Sequence, residues 1–324
     1  MSFWQDKKVL ITGANGFIGS WLTKELLDRS AQVTTITQRL KGNSNFNLLK
    51  LEEKINFVEG NITDYDLIIK ILKEFNIDTC FHLAAQSTVQ IAEKSIISTF
   101  ESNIQGTWVL LEALKNCNVK RVIVASSDKV YGNQKELPNH ENQRLLGRNP
   151  YGASKVCTDI IAQTYAHTYK LPVAITRNAN TYGPGDLNLS RLIPSIIVSV
   201  LKNEPPIIRS DGTPERDYLY IEDAINAYLT LAENLHRTEV IGESFNFGSG
   251  KPTSVLDLFN MIIKLSGKDL TPRIIGEAKN EVDKQYLSIT KAEQILGWRP
   301  KTNLEEGLKQ TMKWYQEKLS NLDI

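Results

Sequence analysis

Two residues with acid–base side chains, Tyr151 and Lys155, stand four positions apart in the segment YGASK. If that segment is helical, the spacing places both side chains on one face of the helix. An ammonium group close to a phenol favours the phenolate, so Tyr151 is predicted to act as a base near neutral pH. The hydroxyl of Ser127, at the end of the run RVIVASS, is predicted to bind the same substrate oxygen. Together these residues predict redox chemistry at a carbon that bears a hydroxyl group.

A glycine-rich turn, GANGFIG, follows the first predicted strand directly and opens a predicted helix. Glycine at Gly13, Gly16 and Gly19 lets the backbone approach a pyrophosphate, whose charge the free N–H groups of the helix N-terminus stabilise. Phe17 and Ile18 stand between these glycines. A strand before the turn and a helix after it are the context of a dinucleotide site, so we predict NAD as cofactor. Because Tyr-x-x-x-Lys spacing arises by chance in many helices, the redox interpretation depends on this turn.

The rest of the predicted cofactor site lies in the loops that follow the next strands. The second strand of such a fold usually ends in an acid that binds the adenosine ribose of NAD, but the sequence here is Thr37-Gln38-Arg39. Arg39 is either a partner for the 2′-phosphate of NADP or an exposed arginine that begins a loop, so NADP stays open as the alternative. Five further loop positions are predicted to line the cofactor: Asn61, Ile62, Leu83, Ala84 and Ala85.

Short β-branched runs alternate with longer helical patterns in the first half of the chain. The runs are KKVLITG, QVTTIT, INFVEG, DTCFHLA, RVIVAS and PVAITR, and helices are predicted at 20–29, 65–75, 99–116 and 150–169. Continuous apolar strands separated by helices indicate a parallel sheet that is covered on both faces, since each crossover needs a helix. The predicted fold class is therefore α/β, a doubly wound parallel sheet of the Rossmann type.

The regular alternation stops after residue 177. A segment rich in glycine, proline, asparagine and aspartate, TYGPGDLN, precedes a predicted helix at 193–202 and a mixed tail. We therefore predict a dinucleotide-binding domain at 1–177, with 217–235 returning to it, and a smaller mixed α/β lobe at 178–324 that binds the substrate. A site in the cleft between the two is the expected consequence.

Charge and composition argue against several classes of partner. The chain has 38 lysines and arginines against 37 aspartates and glutamates. This near balance gives no net positive charge that would attract nucleic acid or an anionic membrane. Its apolar stretches are too short or too interrupted to span a bilayer, and the first strand is not preceded by a signal-peptide pattern, so a cytoplasmic location is predicted. The three cysteines, Cys80, Cys117 and Cys157, lack Cys-x-x-Cys spacing, and neither a disulfide framework nor a metal site is expected.

Motifs along nearly the whole chain resemble the extended short-chain dehydrogenase/reductase superfamily, in its branch of nucleotide-sugar epimerases and dehydratases. These motifs are TGANGFIGSWL, HLAAQS, SNIQGTWVLLEA, SSDKVYG, YGASK, RNANTYGPGD, RDYLYIEDA and LGWRPKTNLEEGL. The resemblance implies a catalytic triad of Ser127, Tyr151 and Lys155. It also implies homodimerisation through a bundle of the helices at 99–116 and 150–169.

The same resemblance implies a nucleotide-diphosphate sugar as substrate, with Asn180 and Arg216 in contact with the diphosphate. Further substrate contacts are predicted at Ser87, Arg191 and Arg209. Two phosphates buried in a cleft need concentrated positive partners in a chain without net basicity, which is the reason for choosing the two arginines. Each arginine is also compatible with a solvated surface position.

The residues after the triad serine, Asp128 and Lys129, bear on the choice between two reactions. A 4-epimerase only oxidises C4, rotates the 4-keto sugar in the site and reduces C4 again. Such enzymes usually carry small or uncharged residues at these two positions. A 4,6-dehydratase must also eliminate water across C5 and C6, which requires a base at C5 and an acid for the departing O6 hydroxyl. Asp128 resembles that acid. Many dehydratases place Glu as the base where this chain has Lys129, so Lys129 is either the base or a group that orients Asp128 and stabilises the enolate.

The nucleotide of the substrate stays open. The Ser-Asp-Lys-x-Tyr segment and the opening Phe3-Trp4 resemble CDP-glucose 4,6-dehydratases, whereas GTPERDYLY is closer to the general epimerase/dehydratase pattern and QRLKGNSNFN resembles GDP-mannose dehydratases. The first hypothesis is therefore a nucleotide-sugar 4,6-dehydratase, in which hydride returns to C6 and the cofactor is retained. The second is a nucleotide-sugar 4-epimerase, and the third is a non-catalytic scaffold that senses NAD(P).

Overall fold

The computed structural model describes residues 2–38, 44–277 and 282–321 of the chain. Its strands are β1 (Lys8–Thr12), β2 (Gln32–Thr37), β3 (Asn56–Glu59), β4 (Thr79–His82), β5 (Arg121–Ala125), β6 (Val173–Asn178), β7 (Asn180–Tyr182), β8 (Ile207–Ile208), β9 (Glu215–Arg216), β10 (Tyr218–Tyr220), β11 (Ser244–Phe247), β12 (Thr253–Ser254), β13 (Arg273–Ile274) and β14 (Lys284–Gln285). Its α-helices are α1 (Phe17–Asp28), α2 (Asn45–Leu48), α3 (Tyr65–Glu74), α4 (Val89–Lys94), α5 (Ile96–Phe100), α6 (Gly106–Asn116), α7 (Pro150–Tyr169), α8 (Leu192–Leu201), α9 (Ile221–Glu233), α10 (Val255–Ser266) and α11 (Leu304–Lys318).

Seven strands form one parallel sheet, in the order β3-β2-β1-β4-β5-β6-β11. The chain first builds outwards from β1 to β3, then returns to the other side of β1 and continues from β4 to β6. This reversal of direction between β1 and β4 is the topological switch point where doubly wound folds bind ligands. The structure confirms the predicted α/β class and the Rossmann arrangement.

The strands of this sheet carry apolar side chains on both faces. In β1, Val9 and Ile11 belong to one buried cluster, whereas Leu10 between them belongs to the other. Helices α1 and α9 pack together on the side of the first cluster, and α3, α6 and α7 contribute to the second. Burial of each aliphatic side chain stabilises the folded state by roughly 1.5–3 kcal/mol. The two clusters therefore hold the sheet together, and the sheet supports the loops at its carboxyl edge.

The helix predicted at 99–116 is interrupted in the structure. Helix α5 is followed by a π-helical turn, Glu101–Gln105, before α6 begins. The carbonyl oxygen of Asn103 accepts hydrogen bonds from the hydroxyls of Thr107, at 2.6 Å, and Thr158, at 2.9 Å. These side chains compete with the backbone ladder for the carbonyl, which is a recognised cause of such bulges.

Two elements beyond residue 177 pack on the large sheet. Helix α9 contacts β5 and β6 and lies within the segment 217–235 that the sequence analysis assigns to the first domain. Strand β11 pairs with β6 along Ser244–Phe247, although the predicted boundary puts this strand in the 178–324 lobe. The short SFNF run alternates polar and apolar residues, so it lacks the continuous apolar character of the other sheet strands. The exact division into domains stays a prediction.

The remaining elements form smaller pieces beside the sheet: the pairs β7–β10 and β8–β13, the three-stranded β12-β9-β14 sheet, and α8, which packs on α10 and α11. Among the described residues, no helix has the length and apolar character needed to cross a membrane. Cys80 is buried, Cys117 and Cys157 are half-buried, and all three thiols are free.

Candidate active site

A cleft of about 2170 Å³ follows the carboxyl edge of the large sheet and continues into the smaller lobe. Every predicted site residue that the structure describes contributes to its wall, including the glycine-rich turn, the end of β5 and the first turns of α7. Arg39 lies outside the described residues. The structure therefore brings together residues that are as far apart in the chain as Gly13 and Arg216.

The glycine-rich turn connects β1 to the N-terminus of α1. Gly13 has φ +76°, and a Cβ there would lie 2.8 Å from the amide nitrogen of Ala84. A Cβ on Gly19 would lie 2.8 Å from the Cα of Ala14, so helix and strand approach each other too closely for any side chain. Gly16, in contrast, is exposed to the cleft. The turn thus presents bare backbone and a helix N-terminus, which fits a pyrophosphate group.

The loop after β4 is held against this turn by a buried histidine. Nδ1 of His82 lies 2.8 Å from the hydroxyl of Thr12, and Nε2 lies 3.0 Å from the hydroxyl of Thr107. The Thr12 hydroxyl in turn accepts a hydrogen bond from the amide of Ala84 at 3.2 Å. Burial, with a further contribution from Lys155, lowers the pKa of His82 to about 3, so the ring is neutral at pH 7. Leu83, Ala84 and Ala85 follow this histidine into the cleft.

Asn61 and Ile62, which the sequence analysis also assigns to the cofactor, lie after β3. The Asn61 side chain accepts a hydrogen bond from the amide of Thr63 and stabilises the start of the loop. Ile62 is buried against Gly106, the first residue of α6. Both residues line the cleft where it passes the ends of β2 and β3.

Ser127, at the end of β5, starts a 3-10 turn that carries Asp128 and Lys129. The Ser127 hydroxyl accepts from the amide of Lys129 at 3.2 Å and donates to Oδ1 of Asp128 at 3.1 Å. Tyr131 anchors the end of this turn in the core, because its buried hydroxyl donates to Oδ1 of Asn246 at 2.6 Å. The Asp128 carboxyl and the Ser127 hydroxyl are therefore fixed side by side at the cleft wall.

Tyr151 and Lys155 lie in the first two turns of α7, which begins at Pro150 with the Asn149 side chain as its cap. Asn103 also supports this helix, since its side chain donates to the Ser154 hydroxyl at 2.9 Å. Nζ of Lys155 donates to the carbonyl of Ala125 at 2.7 Å, which ties the lysine to the end of β5. Tyr151 and Lys155, four residues apart, thus lie on one face of α7, and this face is turned towards Ser127.

The ionisation of this pair differs from the sequence-based expectation. Burial raises the pKa of Tyr151, and Asp128 adds to the increase, while the Ser127 hydroxyl and Arg191 oppose it. Burial also lowers the pKa of Lys155 to about 8, against the attraction of Asp159. Loss of hydration thus outweighs the neighbouring charges in the pKa of Tyr151, and the role of Tyr151 as a base stays a prediction.

A residue from the C-terminal part of the chain completes the acidic turn. Nζ of Lys129 lies 2.9 Å from Oδ2 of Asp128 and 2.8 Å from Oε1 of Gln285. The amide nitrogen of Gln285, in β14, donates to the backbone carbonyl of Asp128 at 2.8 Å. Asp128 is 2 % exposed, and Gln285 is equally buried. Gln285 therefore contacts both residues of the Asp128–Lys129 pair, and the Asp128 carboxyl is buried and not a solvated surface group.

The predicted substrate residues also line the cleft. Nδ2 of Asn180 donates to the carbonyl of Asp217 at 3.1 Å. Arg191 forms an ion pair with the buried Asp186 at 3.0 Å, and its guanidinium lies 5.9 Å from the ring centre of Phe17. Arg209, Arg216 and Ser87 also line the cleft, the first and last as exposed side chains. Arginines from three different segments thus face one cavity, although their contact with a diphosphate stays a prediction.

Sequence reasoning missed several residues of this site. Asn103 stands within the motif SNIQGTW, which the sequence analysis used only for the resemblance. His82 likewise stands in the motif HLAAQS, and its role depends on a contact with the distant Thr12. Gln285 carries no local signal, because its role depends on a contact with Lys129 in a distant segment. Asn178, at the end of β6, lines the cleft with an amide that has no hydrogen-bond partner within the described residues.

A parallel sheet with a glycine-rich β1–α1 turn, and a Ser–Tyr–Lys constellation at the ends of β5 and α7, defines the short-chain dehydrogenase/reductase class. The chain belongs to the NAD-dependent epimerase/dehydratase family, since residues 10–311 match the protein-family model described as GDP-mannose 4,6 dehydratase. The members of this family to which the chain is similar include sugar-nucleotide dehydratases and epimerases.

Curated relatives include dehydratases with different nucleotides. The chain is 36 % identical, over 98 % of its length, to a trifunctional UDP-glucose 4,6-dehydratase/UDP-4-keto-6-deoxy-D-glucose 3,5-epimerase/UDP-4-keto-L-rhamnose-reductase from Arabidopsis thaliana, of which it covers 48 %. It is 30 % identical to a CDP-glucose 4,6-dehydratase from Salmonella typhimurium, with 100 % of this chain and 94 % of that protein covered. The chain thus spans about half the length of the trifunctional relatives that it matches.

Solved structures of both enzyme types share the fold. A UDP-glucose 4-epimerase from Thermotoga maritima, solved with UDP-glucose, superposes with a TM-score of 0.89 at 32 % identity, covering 96 % of this chain and 99 % of that chain. A dTDP-glucose 4,6-dehydratase from Bacillus anthracis in complex with NAD gives a TM-score of 0.86 at 28 % identity, covering 97 % and 98 %. Global similarity therefore does not separate a dehydratase from an epimerase.

Proposed function

We propose that the chain is a nucleotide-sugar 4,6-dehydratase that converts an NDP-hexose into the NDP-4-keto-6-deoxyhexose. The single observation that carries this proposal is the Asp128 carboxyl, which is almost completely buried and lies 3.1 Å from the Ser127 hydroxyl in the cleft. A simple 4-epimerase has no use for an acid beside its triad serine. A dehydratase needs one at C6, because the O6 hydroxyl leaves only when it receives a proton.

The residues present fit NAD. Gly13 lets the loop after β4 pack closely against the turn, Gly16 exposes bare backbone to the cleft, and the α1 N-terminus offers free N–H groups. When bound, NAD supplies the hydride acceptor at C4 and then the hydride donor at C6, so that the overall reaction is redox-neutral. NAD-bound relatives of the same fold support NAD as the first choice, and NADP stays the alternative that Arg39 suggests.

The chain's own residues divide the proton transfers between them. Tyr151 takes the proton of the C4 hydroxyl, while the Ser127 hydroxyl binds O4 and holds that oxygen in place. Lys155, fixed to the carbonyl of Ala125, keeps a positive charge near this oxygen below about pH 8. Once C4 is a ketone, the C5 proton becomes acidic: a base takes that proton, and Asp128 in its protonated form gives its proton to O6, which leaves as water.

Lys129 is assigned to orient Asp128 rather than to remove the C5 proton. Its ammonium group donates to two acceptors at once, the Asp128 carboxyl and the Gln285 amide oxygen. A base needs a free lone pair, whereas an ammonium in this geometry holds the acid in one rotamer and stabilises negative charge on the enolate. Lys129 in its neutral form as the C5 base is the alternative, and the rate of C5 exchange in Lys129→Met distinguishes the two roles.

The substrate is assigned to the nucleotide-diphosphate hexoses, with CDP-glucose as the favoured example. Arg191, Arg209 and Arg216 offer positive charge to the diphosphate, and the Ser-Asp-Lys-x-Tyr segment resembles CDP-glucose 4,6-dehydratases. A CDP-glucose 4,6-dehydratase is 30 % identical over the entire chain, and UDP-glucose dehydratases, at 36 %, make UDP-glucose the first alternative substrate. A homodimer and a cytoplasmic location are part of the same proposal.

Incubation of the purified protein with CDP-, dTDP-, GDP- and UDP-hexoses, followed by NMR, tests the reaction. The expected product is a 6-deoxy-4-keto sugar, recognised by a new methyl signal for C6. The matched control is Tyr151→Phe, which keeps the fold and removes the proton acceptor. Inversion at C4 without a methyl signal would overturn the dehydratase proposal.

The second candidate function is a nucleotide-sugar 4-epimerase. It is favoured by the UDP-glucose 4-epimerase structure, which has a TM-score of 0.89. The same incubation distinguishes the two, since epimerisation keeps O6 and changes only the configuration at C4. The third reading, a non-catalytic scaffold that senses NAD(P), would require that Tyr151→Phe leaves the protein's cellular role unchanged.

A further inference from the structure

The side chain of Gln285 uses both ends of its amide on the acidic turn after β5. Its Nε2 donates to the backbone carbonyl of Asp128 at 2.8 Å, and its Oε1 accepts from Nζ of Lys129 at 2.8 Å. Nζ of Lys129 also donates to Oδ2 of Asp128 at 2.9 Å, which closes a ring of three hydrogen bonds. Only a side chain that is donor and acceptor at once can close this ring, and a primary amide is both.

The backbone around Gln285 is anchored without help from this side chain. Strand β14 pairs with β9, and the amide of Asp217 donates to the carbonyl of Gln285 at 3.1 Å. The carbonyl of the next residue, Tyr286, accepts from the amide of Asn139 at 2.9 Å. Since backbone hydrogen bonds already hold the strand, the amide of Gln285 is left to act on the turn.

Lys129 is the member of the charged pair whose position depends on its partners. Its side chain is 24 % exposed, against 3 % for that of Asp128. A lysine side chain loses much rotamer freedom when it is fixed, so a single partly exposed ion pair holds it weakly. Gln285 supplies the second acceptor for the ammonium, and it is itself 1 % exposed, so water does not compete for its amide.

We propose that Gln285 is a positioning residue for the elimination step, and that it acts by holding the Lys129 ammonium against the Asp128 carboxyl. With Gln285 in place, the carboxyl keeps one orientation while O6 departs. Without it, the ammonium moves away into the cleft and the carboxyl is no longer fixed. This inference rests on the proposed function, because an epimerase has no elimination step for Gln285 to serve.

Stopped-flow absorbance of the bound cofactor tests the proposal, because it separates oxidation at C4 from the later steps. With CDP-glucose, or UDP-glucose if the wild type prefers it, reduced cofactor forms at C4 oxidation and disappears when hydride reaches C6. Gln285→Met keeps the length of the side chain and removes the amide. The reduced cofactor should form at the wild-type rate and disappear at least about tenfold more slowly, the effect of a hydrogen bond to a charged group.

A double-variant cycle asks whether Gln285 acts through Lys129. If it does, Gln285→Met/Lys129→Met should be no slower than Lys129→Met alone, within about twofold, because the ammonium that Gln285 holds is already absent. Lys284→Met, the matched change of the neighbouring residue, removes an exposed ion pair with Glu215 and should leave every rate unchanged. Gln285→Glu covers the case in which Gln285→Met does not fold. Its carboxylate competes with Asp128 for the ammonium and should slow the same step.

Three results would overturn the proposal alone. Equal slowing of formation and disappearance would make Gln285 a purely structural residue, and effects that multiply in the double variant would show that it acts independently of Lys129. Unchanged disappearance in both Gln285→Met and Gln285→Glu would leave the ring without a role. A wild type that makes no 6-deoxy-4-keto sugar would overturn this inference and the proposed function together, and NMR of the product distinguishes that result from the other three.

Discussion

Asp128 and Lys129 are the two residues on which the choice between the reactions depends. Their charged groups lie 2.9 Å apart, and Gln285 fixes the lysine from the other side. Neither side chain is needed to move a hydride at C4. In the proposed function both act on the neighbouring carbons, where only a dehydratase does chemistry.

Deuterium exchange at C5 separates the roles of these two residues. In deuterated buffer, Asp128→Asn should slow elimination by about 10²–10⁴-fold while the recovered substrate gains deuterium at C5, because only the acid for O6 is lost. Lys129→Met should keep the C5 exchange and slow elimination if the lysine orients Asp128. NMR of product and recovered substrate measures both.

The control for this experiment is Lys24→Met, which removes an exposed lysine of α1 and should change neither rate. Loss of C5 exchange in Lys129→Met would make the lysine the base. Unchanged elimination in Asp128→Asn would remove the main support for a dehydratase.

His82 predicts a pH dependence of stability. Its pKa is about 3 in the folded chain against 6.5 in a model compound, so between these values the unfolded chain binds more protons than the folded one. Stability from the neutral ring is therefore fully present above about pH 6.5 and is lost as the pH falls towards 3. Linkage over the interval from pH 7 to pH 5 amounts to about 2 kcal/mol.

Urea unfolding of the wild type and of His82→Gln at pH 7 and pH 5 checks this value. The variant should lose about 2 kcal/mol less than the wild type between the two pH values. His236→Gln, at an exposed position, should behave like the wild type. Equal pH dependence in wild type and His82→Gln would contradict the buried neutral ring.

At the scale of elements, Arg177 of β6 and Asp159 of α7 connect the sheet to the helix that carries the catalytic pair. Arg177 is 2 % exposed and Asp159 is 0 % exposed. Burial alone would lower the pKa of Arg177, but the hydrogen bonds and ion pair with Asp159 raise it above the ordinary value. Ser244 of β11 also donates to Asp159, so three elements meet at this carboxylate.

Removal of the Arg177 guanidinium should leave the buried Asp159 carboxylate without a positively charged partner. Arg177→Met is expected to lower the free energy of unfolding by about 3–5 kcal/mol, as measured by chemical denaturation. Lys24→Met, which breaks the exposed pair with Asp28, should change it by less than about 0.5 kcal/mol. The double variant Arg177→Met/Asp159→Leu should cost less than the sum of its single changes, and strict additivity would refute the coupling.

At the scale of the whole molecule, exposed apolar side chains gather on the helices α4 to α7. Ile97 is 73 % exposed, Trp108 45 % and Ile160 54 %, and Ile91 and Tyr169 add to the same group of helices. An exposed apolar surface of this kind marks an interaction site. These helices include the two through which the family resemblance implies a homodimer.

Light scattering after gel filtration tests the homodimer. The wild type should have twice the chain mass of 36.6 kDa, and Trp108→Glu/Ile160→Glu should shift towards the monomer because two charges cannot be buried unpaired. Ile207→Glu, at an exposed strand outside these helices, should leave the mass unchanged. A monomeric wild type would contradict the prediction.

The sequence by itself determined the parts of this protein that depend on local spacing. Alternation of apolar runs and helical patterns predicts the parallel sheet, and the glycine-rich turn predicts where a dinucleotide fits. The distances in sequence between Ser127, Tyr151 and Lys155 are compatible with one site because β5 and α7 each carry their side chains to the same edge. These features follow from the backbone geometry of single elements.

Only the tertiary structure decided what distant segments do to these residues. Gln285 reaches Lys129 from β14, β11 joins the sheet beside β6, and the buried amide of Asn178 has no hydrogen-bond partner among the described residues. The raised pKa of Tyr151 belongs to the same group, since its main cause is burial. Contacts across the fold and the loss of water depend on how elements pack, and residue spacing along the chain does not encode either of them.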